Sequence, residues 1–221
     1  MGVENSQMEM IKNVLVEHTV YNSSIKKQKE EEILELEKLK IGIIVGSVRN
    51  GRNAEAVSIW MYNFATKRND ADYELVDLIN YRLPLLGQEV PVEQQEEANS
   101  AIKNWSQKMA TYDGYIFITP EYNHAVGGAL KNALDYLKPE LNNKAAGFVG
   151  YGSLGGARAH ENMRLILGEL QVADVQAAVT FSLLTDFENM TLFKPADYHE
   201  GNANTMLDQL LAWSRALKTL R

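Results

Sequence analysis

The chain has 221 residues, 45% hydrophobic and 23% charged, with a formal net charge of -7 and no cysteine. That composition fits a globular protein with one substantial core. It excludes a disulfide framework, a thiolate metal site and a cysteine nucleophile, and it opposes broad attraction to nucleic acid or an anionic membrane.

The first 25 residues carry no interpretable signal. Residues 26–40, KKQKEEEILELEKLK, are mostly Lys and Glu, with Ile33, Leu34, Leu36 and Leu39 as the apolar positions. This reads as a solvated helix with one thin apolar stripe. The expected organisation is a charged, helical extension over 1–38 followed by a principal domain over 39–221.

From residue 41 strand and helix signals alternate. Residues 41–45 form a short apolar run ending in Gly46, as a buried parallel strand does. Ala54, Val57, Met61 and Phe64 then keep a helical period. A second strand is expected over 73–78, and Ala98, Ile102, Trp105 and Met109 mark the next helix. Residues 115–119 read as a third strand stopped by Pro120, and Val126, Ala129, Leu130, Ala133, Leu134 and Leu137 as a third helix ended by Pro139. A fourth strand over 144–149, a helix over 155–170, a fifth strand over 175–180, a long connection and a closing helix over 204–220 complete the chain. No internal repeat is visible, and no run approaches the roughly 18 apolar residues of a membrane span.

Such alternation predicts right-handed crossovers and a parallel sheet with helices on both faces. The expected fold is α/β, a flavodoxin-like three-layer sandwich whose five-stranded parallel sheet has order 2-1-3-4-5. Ligands of such sheets bind beyond the carboxyl ends of the strands, where the chain order reverses.

Three loops at that edge carry candidate chemistry. After strand one, GSVRNGRN leads into a helix, and its hydroxyl, amide, two guanidinium groups and helix-start N–H groups suit a phosphate. It is not a P-loop, so a triphosphate is not expected. After strand three, PEYNH places polar and aromatic groups where a flat polar ligand would bind. After strand four, GYGSLGG matches GxGxxG but sits in the fourth strand–helix unit, and the next strand has no acidic residue at its carboxyl end for a ribose; Asp174 lies at its start. A glycine-rich wall admitting close backbone approach is the preferred reading. His18, His160 and His199 are scattered, so no metal site is expected.

GSVRNGR, TPEYNHAVGGALKNALDYL and GYGSLGGARA, in that order and spacing over residues 40–200, resemble the NADPH-dependent FMN reductase family, which includes flavin, quinone, azo-dye and chromate reductases. The resemblance implies FMN as cofactor and NADPH or NADH as electron donor, with a flavin, quinone, azo compound or metal oxyanion as acceptor. It implies that Ser47, Arg49, Arg52 and Asn53 hold the FMN phosphate, that Pro120, Glu121, Tyr122 and Asn123 meet the isoalloxazine, and that Gly152 and Ser153 flank it. Gly127 and Gly128 stand where the family often has Pro. Tyr122 and His124 are candidates for proton delivery, while Glu121 is expected to fix its loop through a nearby donor. A homodimer or homotetramer is also implied. The net charge leaves no nucleic-acid or membrane partner expected, and with no signal-peptide core visible a cytoplasmic location is expected. Two other flavoprotein classes stay open: an electron carrier, which would oxidise reduced nicotinamide slowly, and a noncatalytic redox sensor, which would bind flavin without turnover.

Overall fold

The strands begin where the charged segment ends. A computed structural model of the chain describes residues 38–221, and the expected N-terminal helix lies, apart from its last residues, outside them. Leu39, counted with that helix's apolar stripe, is instead a core residue 1% exposed, and Lys40 opens the first strand.

The long strands are β1 (Lys40–Val45), β2 (Asp72–Asp77), β3 (Gly114–Tyr122), β5 (Lys144–Gly152) and β6 (Val172–Ser182). They pair in parallel in the order β2-β1-β3-β5-β6, which is the expected 2-1-3-4-5. Helices α1 (Ala54–Arg68), α2 (Gln95–Ala110), α3 (Gly128–Asp135), α4 (Ala157–Glu169) and α5 (Tyr198–Lys218) cover both faces. Strand alternation divides the core accordingly. Ile41, Ile43, Ile116 and Ile118 pack with Val57 and Met61 of α1 and with Met206 and Leu210 of α5. Ile44, Tyr115, Phe117 and Phe148 pack with Trp105 of α2, Leu130 and Leu134 of α3 and Met163 of α4. Each such fully buried side chain is worth roughly 1.5–3 kcal/mol of transfer free energy.

Three details differ from expectation. The sheet has a sixth strand, β4 (Ala125–Val126), antiparallel to the end of β3, so Val126 lies in a strand and α3 starts two residues later. Asn123 (φ 50) and His124 (φ 71) supply the two positive φ angles that a tight two-residue hairpin needs. Secondly, Pro120 does not stop β3. Gly46 N–H donates to Ile118 O (2.8 Å) just past the end of β1, and two residues further on β1 no longer runs alongside. Proline's missing N–H therefore faces no partner strand. Thirdly, the long connection after β6 contains a small antiparallel hairpin, β7 (Phe187–Glu188) with β8 (Leu192–Phe193), and α5 begins at Tyr198. Phe193 anchors that hairpin, its ring 4.9 Å from Phe181 and 5.0 Å from Phe187.

The register of β5 against β6 shifts between Ala146 and Phe148, leaving a bulge in β6. Arg164 of α4 donates to the Val175 and Gln176 carbonyls there and pairs with Asp174. Asp174 is thus occupied in holding the bulge.

Candidate active site

The loop over residues 46–53 begins with a glycine because nothing larger fits. A Cβ at Gly46 would lie 2.6 Å from the Leu130 side chain and 2.9 Å from the Ile118 carbonyl oxygen. Ser47 is buried, its Oγ 3.4 Å from the Arg49 N–H it accepts, whereas Val48, Arg49 and Asn50 are exposed. Asn53 stands at the N-cap of α1, whose unpaired N–H groups make an anion-binding end, but its side-chain amide donates to Met190 O at 2.9 Å.

The two arginines of this loop do different things. Arg52 is 5% exposed in its side chain and forks onto the Asp77 carboxylate at the end of β2, at 2.8 and 2.5 Å. It also donates to Ser47 O and to Glu55. The hydrogen bond to Asp77 raises its pKa against the opposing effect of burial. Arg49 has no side-chain hydrogen bond or ion pair among the described residues and is exposed, so its charge is available to a ligand.

The β3–β4 hairpin is held from below. The Glu121 side chain is 4% exposed, and its carboxylate accepts from the Arg158 backbone N–H (3.1 Å) and from the Arg158 guanidinium. Arg158 Nη1 lies 2.8 Å from His124 Nε2. A guanidinium only donates, so Nε2 is the acceptor and the His124 proton resides on Nδ1. Tyr122 is 38% exposed at the rim.

The third loop turns back on its own strand. Gly155 and Gly156 have φ of 71 and 83, and a Cβ at Gly156 would lie 2.8 Å from Tyr151 N. No other residue allows both the left-handed conformation and that approach. Behind the loop His160 is buried, and desolvation, reinforced by Arg164, pushes its pKa down to about 4, so it is neutral. Tyr151 is 6% exposed, and its hydroxyl has no hydrogen-bond partner among the described residues.

One cavity joins the three loops. Arg49, Arg52 and Asn53 line it from the first, Pro120, Glu121 and Tyr122 from the second and Gly152 from the third. Ser47 lies behind the lining, Asn123 is in the exposed hairpin turn, and exposed Ser153 uses its carbonyl to hold Ser182 Oγ (3.2 Å). The sequence reading missed Tyr151, Leu183, Met190 and Thr191, which also line the cavity. It also missed Asp77 and Arg158, which fix the loops. The carboxyl-edge rule could have drawn attention to Asp77, the last residue of β2. A second cavity, of about 410 Å³, is lined by Val48, Leu78, Ile79, Leu83 and Ala129, with Arg82 among them.

Among the described residues, a cation with no side-chain partner, a helix N-terminus, a glycine-backed wall and a buried phenol with no hydrogen-bond partner fit a ligand that is anionic at one end and flat at the other. FMN has that form. The profile of the NADPH-dependent FMN reductase family matches residues 39–186. An NAD(P)H-dependent FMN reductase of Nectria sp is 34% identical over 158 residues, 66% of this chain and 78% of that one. The quinone reductase of Escherichia coli is 28% identical over 139 residues, 59% of this chain and 70% of the other. In fold, the flavoenzyme NAD(P)H:(acceptor) oxidoreductase of Paracoccus denitrificans matches with a TM-score of 0.58 at 20% identity, covering 79% of this chain and 98% of that one. With the profile spanning the sheet and all three loops, the chain belongs to the NADPH-dependent FMN reductase family.

Proposed function

We propose that the protein is an FMN-dependent oxidoreductase that passes reducing equivalents from NADPH or NADH to a small-molecule acceptor: a flavin, quinone, azo compound or metal oxyanion. The observation that carries this reading is the meeting of the three loops in one cavity at the carboxyl edge, with Arg49 unpartnered among the described residues. FMN, when bound, would supply the hydride-transfer chemistry between nicotinamide and acceptor.

The protein's own part is to hold and orient. Arg49, the start of α1 and the hydroxyl of Ser47 take the phosphate, while Arg52, clamped by Asp77, keeps their loop in shape. Pro120, Glu121, Tyr122 and Asn123 present the hairpin to the isoalloxazine, and the Glu121–Arg158 pair fixes that hairpin. Gly152 and Ser153 bound the other side. A Cβ on Gly152 would come 3.2 Å from Glu121 Cβ, so the wall is already close-packed there. Proton delivery by His124 through Nε2 is blocked while that atom accepts from Arg158, leaving Tyr122 the better placed of the two. The second, more apolar cavity offers space for a flat acceptor. No helix among the described residues is long and apolar enough to cross a membrane. The need for reduced nicotinamide supports a cytoplasmic site of action, and a homodimer or homotetramer completes the reading.

The test is the visible spectrum after loading with FMN and desalting, followed by anaerobic addition of NADPH and, separately, NADH. Retained flavin that either nucleotide bleaches and a quinone reoxidises is the expected result. Retained flavin that neither bleaches would favour a carrier or sensor.

A further inference from the structure

Tyr151 stands inside the GxGxxG match, and in the structure it carries a buried polar group while lining the cavity of the site. Its ring belongs to the core layer under α1, with Ala54 and Val57. Its hydroxyl is shielded from solvent and has no hydrogen-bond partner among the described residues. Burying a phenol without a partner is unfavourable unless something completes it. The polar groups that act on it are Ser47, Tyr122, Arg52 and Arg49. Ser47 acts on the phenol most strongly of the four, yet the hydroxyl has no hydrogen-bond partner among the described residues. Three of these four residues belong to the loop opening α1, whose N-terminus favours an anion.

We infer that Tyr151 is a phosphate-recognition residue, its hydroxyl donating, alongside Ser47, to the phosphate of FMN so that the site selects FMN over the dephosphorylated flavin. The inference rests on the FMN reading above. Geometry separates this phenol from the ring-binding side: Tyr151 packs on the α1 face, whereas the next residue, Gly152, backs onto Glu121 of the hairpin. Desolvation raises the phenol's pKa, which keeps it protonated and a donor at neutral pH. A buried donor also discriminates strongly, because a ligand lacking the acceptor leaves it unpaired.

The experiment compares full-length wild type with Tyr151→Phe, titrating FMN and riboflavin separately by flavin fluorescence and following melting of the flavin-free proteins. Loss of a hydrogen bond to a charged acceptor predicts about a 10- to 100-fold weaker Kd for FMN. The Kd for riboflavin should change less than about twofold, since riboflavin lacks the acceptor. The flavin-free variant should melt no lower than wild type, because the substitution removes a buried unpaired hydroxyl and leaves the ring. Three results would overturn the inference: an unchanged Kd for FMN, a parallel loss for both flavins, or a lower melting point or failure to fold of the flavin-free variant. The parallel loss would place the hydroxyl against the ring or ribityl chain, and the melting result would assign it to the fold. If wild type binds neither flavin, the FMN reading falls with it; tight FMN binding by both proteins removes this inference alone.

Discussion

Arg49 and Arg52 are three residues apart and look alike in the sequence, but they should respond in opposite ways to replacement. Arg52→Ala leaves Asp77, whose side chain is 23% exposed, without its two-pronged partner, and Ser47 O without a donor. Breaking a fully buried ion pair costs about 3–5 kcal/mol; the partial exposure of Asp77 reduces this to roughly 2–3 kcal/mol. At about 2–4 °C per kcal/mol for a chain of this size, the melting temperature should fall by roughly 4–12 °C. Arg49→Ala removes an exposed side chain with no partner among the described residues, so stability should stay within about 0.5 kcal/mol of wild type. Its FMN Kd should rise roughly 10- to 150-fold through loss of a charge-assisted hydrogen bond worth about 1.5–3 kcal/mol. Differential scanning fluorimetry of the flavin-free proteins and flavin fluorescence titration separate the two effects. An Arg52→Ala protein that melts with wild type but loses FMN as severely as Arg49→Ala would refute the division of labour. Undiminished FMN binding by Arg49→Ala would refute the phosphate cradle itself.

Other consequences follow from groups around the sheet. Arg158→Ala strands the 4%-exposed Glu121 carboxylate beneath the hairpin and should cost about 2–4 kcal/mol while weakening FMN binding; a melting curve and Kd matching wild type would show that the hairpin holds itself. Burial, with Arg221 nearby, pushes Lys144 down to about 8, although its ammonium donates to Met109 O, Ala110 O and the Tyr115 hydroxyl. The unfolded chain keeps that proton to higher pH, so stability should rise by about 1.4 kcal/mol per pH unit above pH 8. The measurement stops short of pH 10, because the raised pKa values of buried Tyr112 and Tyr115 then act in the opposite sense. Urea midpoints between pH 7.5 and 9.5 should show this rise in wild type and not in Lys144→Met; parallel profiles would contradict it. Removing residues 1–38 should leave melting and FMN binding unchanged, since the family match begins at residue 39, and an insoluble product would assign those residues to the core.

The sheet order could be read from sequence because each buried parallel strand is a short apolar run closed by a polar loop, as in residues 41–45 before Gly46. The same signal located the three loops. It did not reveal the β3–β4 hairpin, because Pro120 reads as a stop and His124 is an uncommon residue for a left-handed turn. Whether a proline interrupts a strand depends on which neighbour its nitrogen faces, and that depends on where β1 ends. Pairings at long range were equally out of reach. Nothing local to Arg52 indicates Asp77, nor does anything near Glu121 indicate Arg158 across the carboxyl edge. Tyr151 was hidden by its place in a glycine motif, where the pattern draws attention to its neighbours.

Those missed partners change how the site must work. A chain of net charge -7 can hold an anion only through local groups, and the sequence suggested a pair of arginines for the task. Of the two cationic side chains lining the cavity, Arg52 is neutralised by Asp77 and Glu55, which leaves Arg49 to meet the ligand's charge. One exposed guanidinium is a weak and salt-sensitive anchor on its own. On the reading proposed above, selectivity for a phosphate-bearing flavin would come from donors that are buried and fixed: the start of α1, Ser47 and Tyr151. In such a site the charged residue that is free attracts, the one that is clamped shapes the loop, and neutral groups that cannot reach water decide which ligand stays.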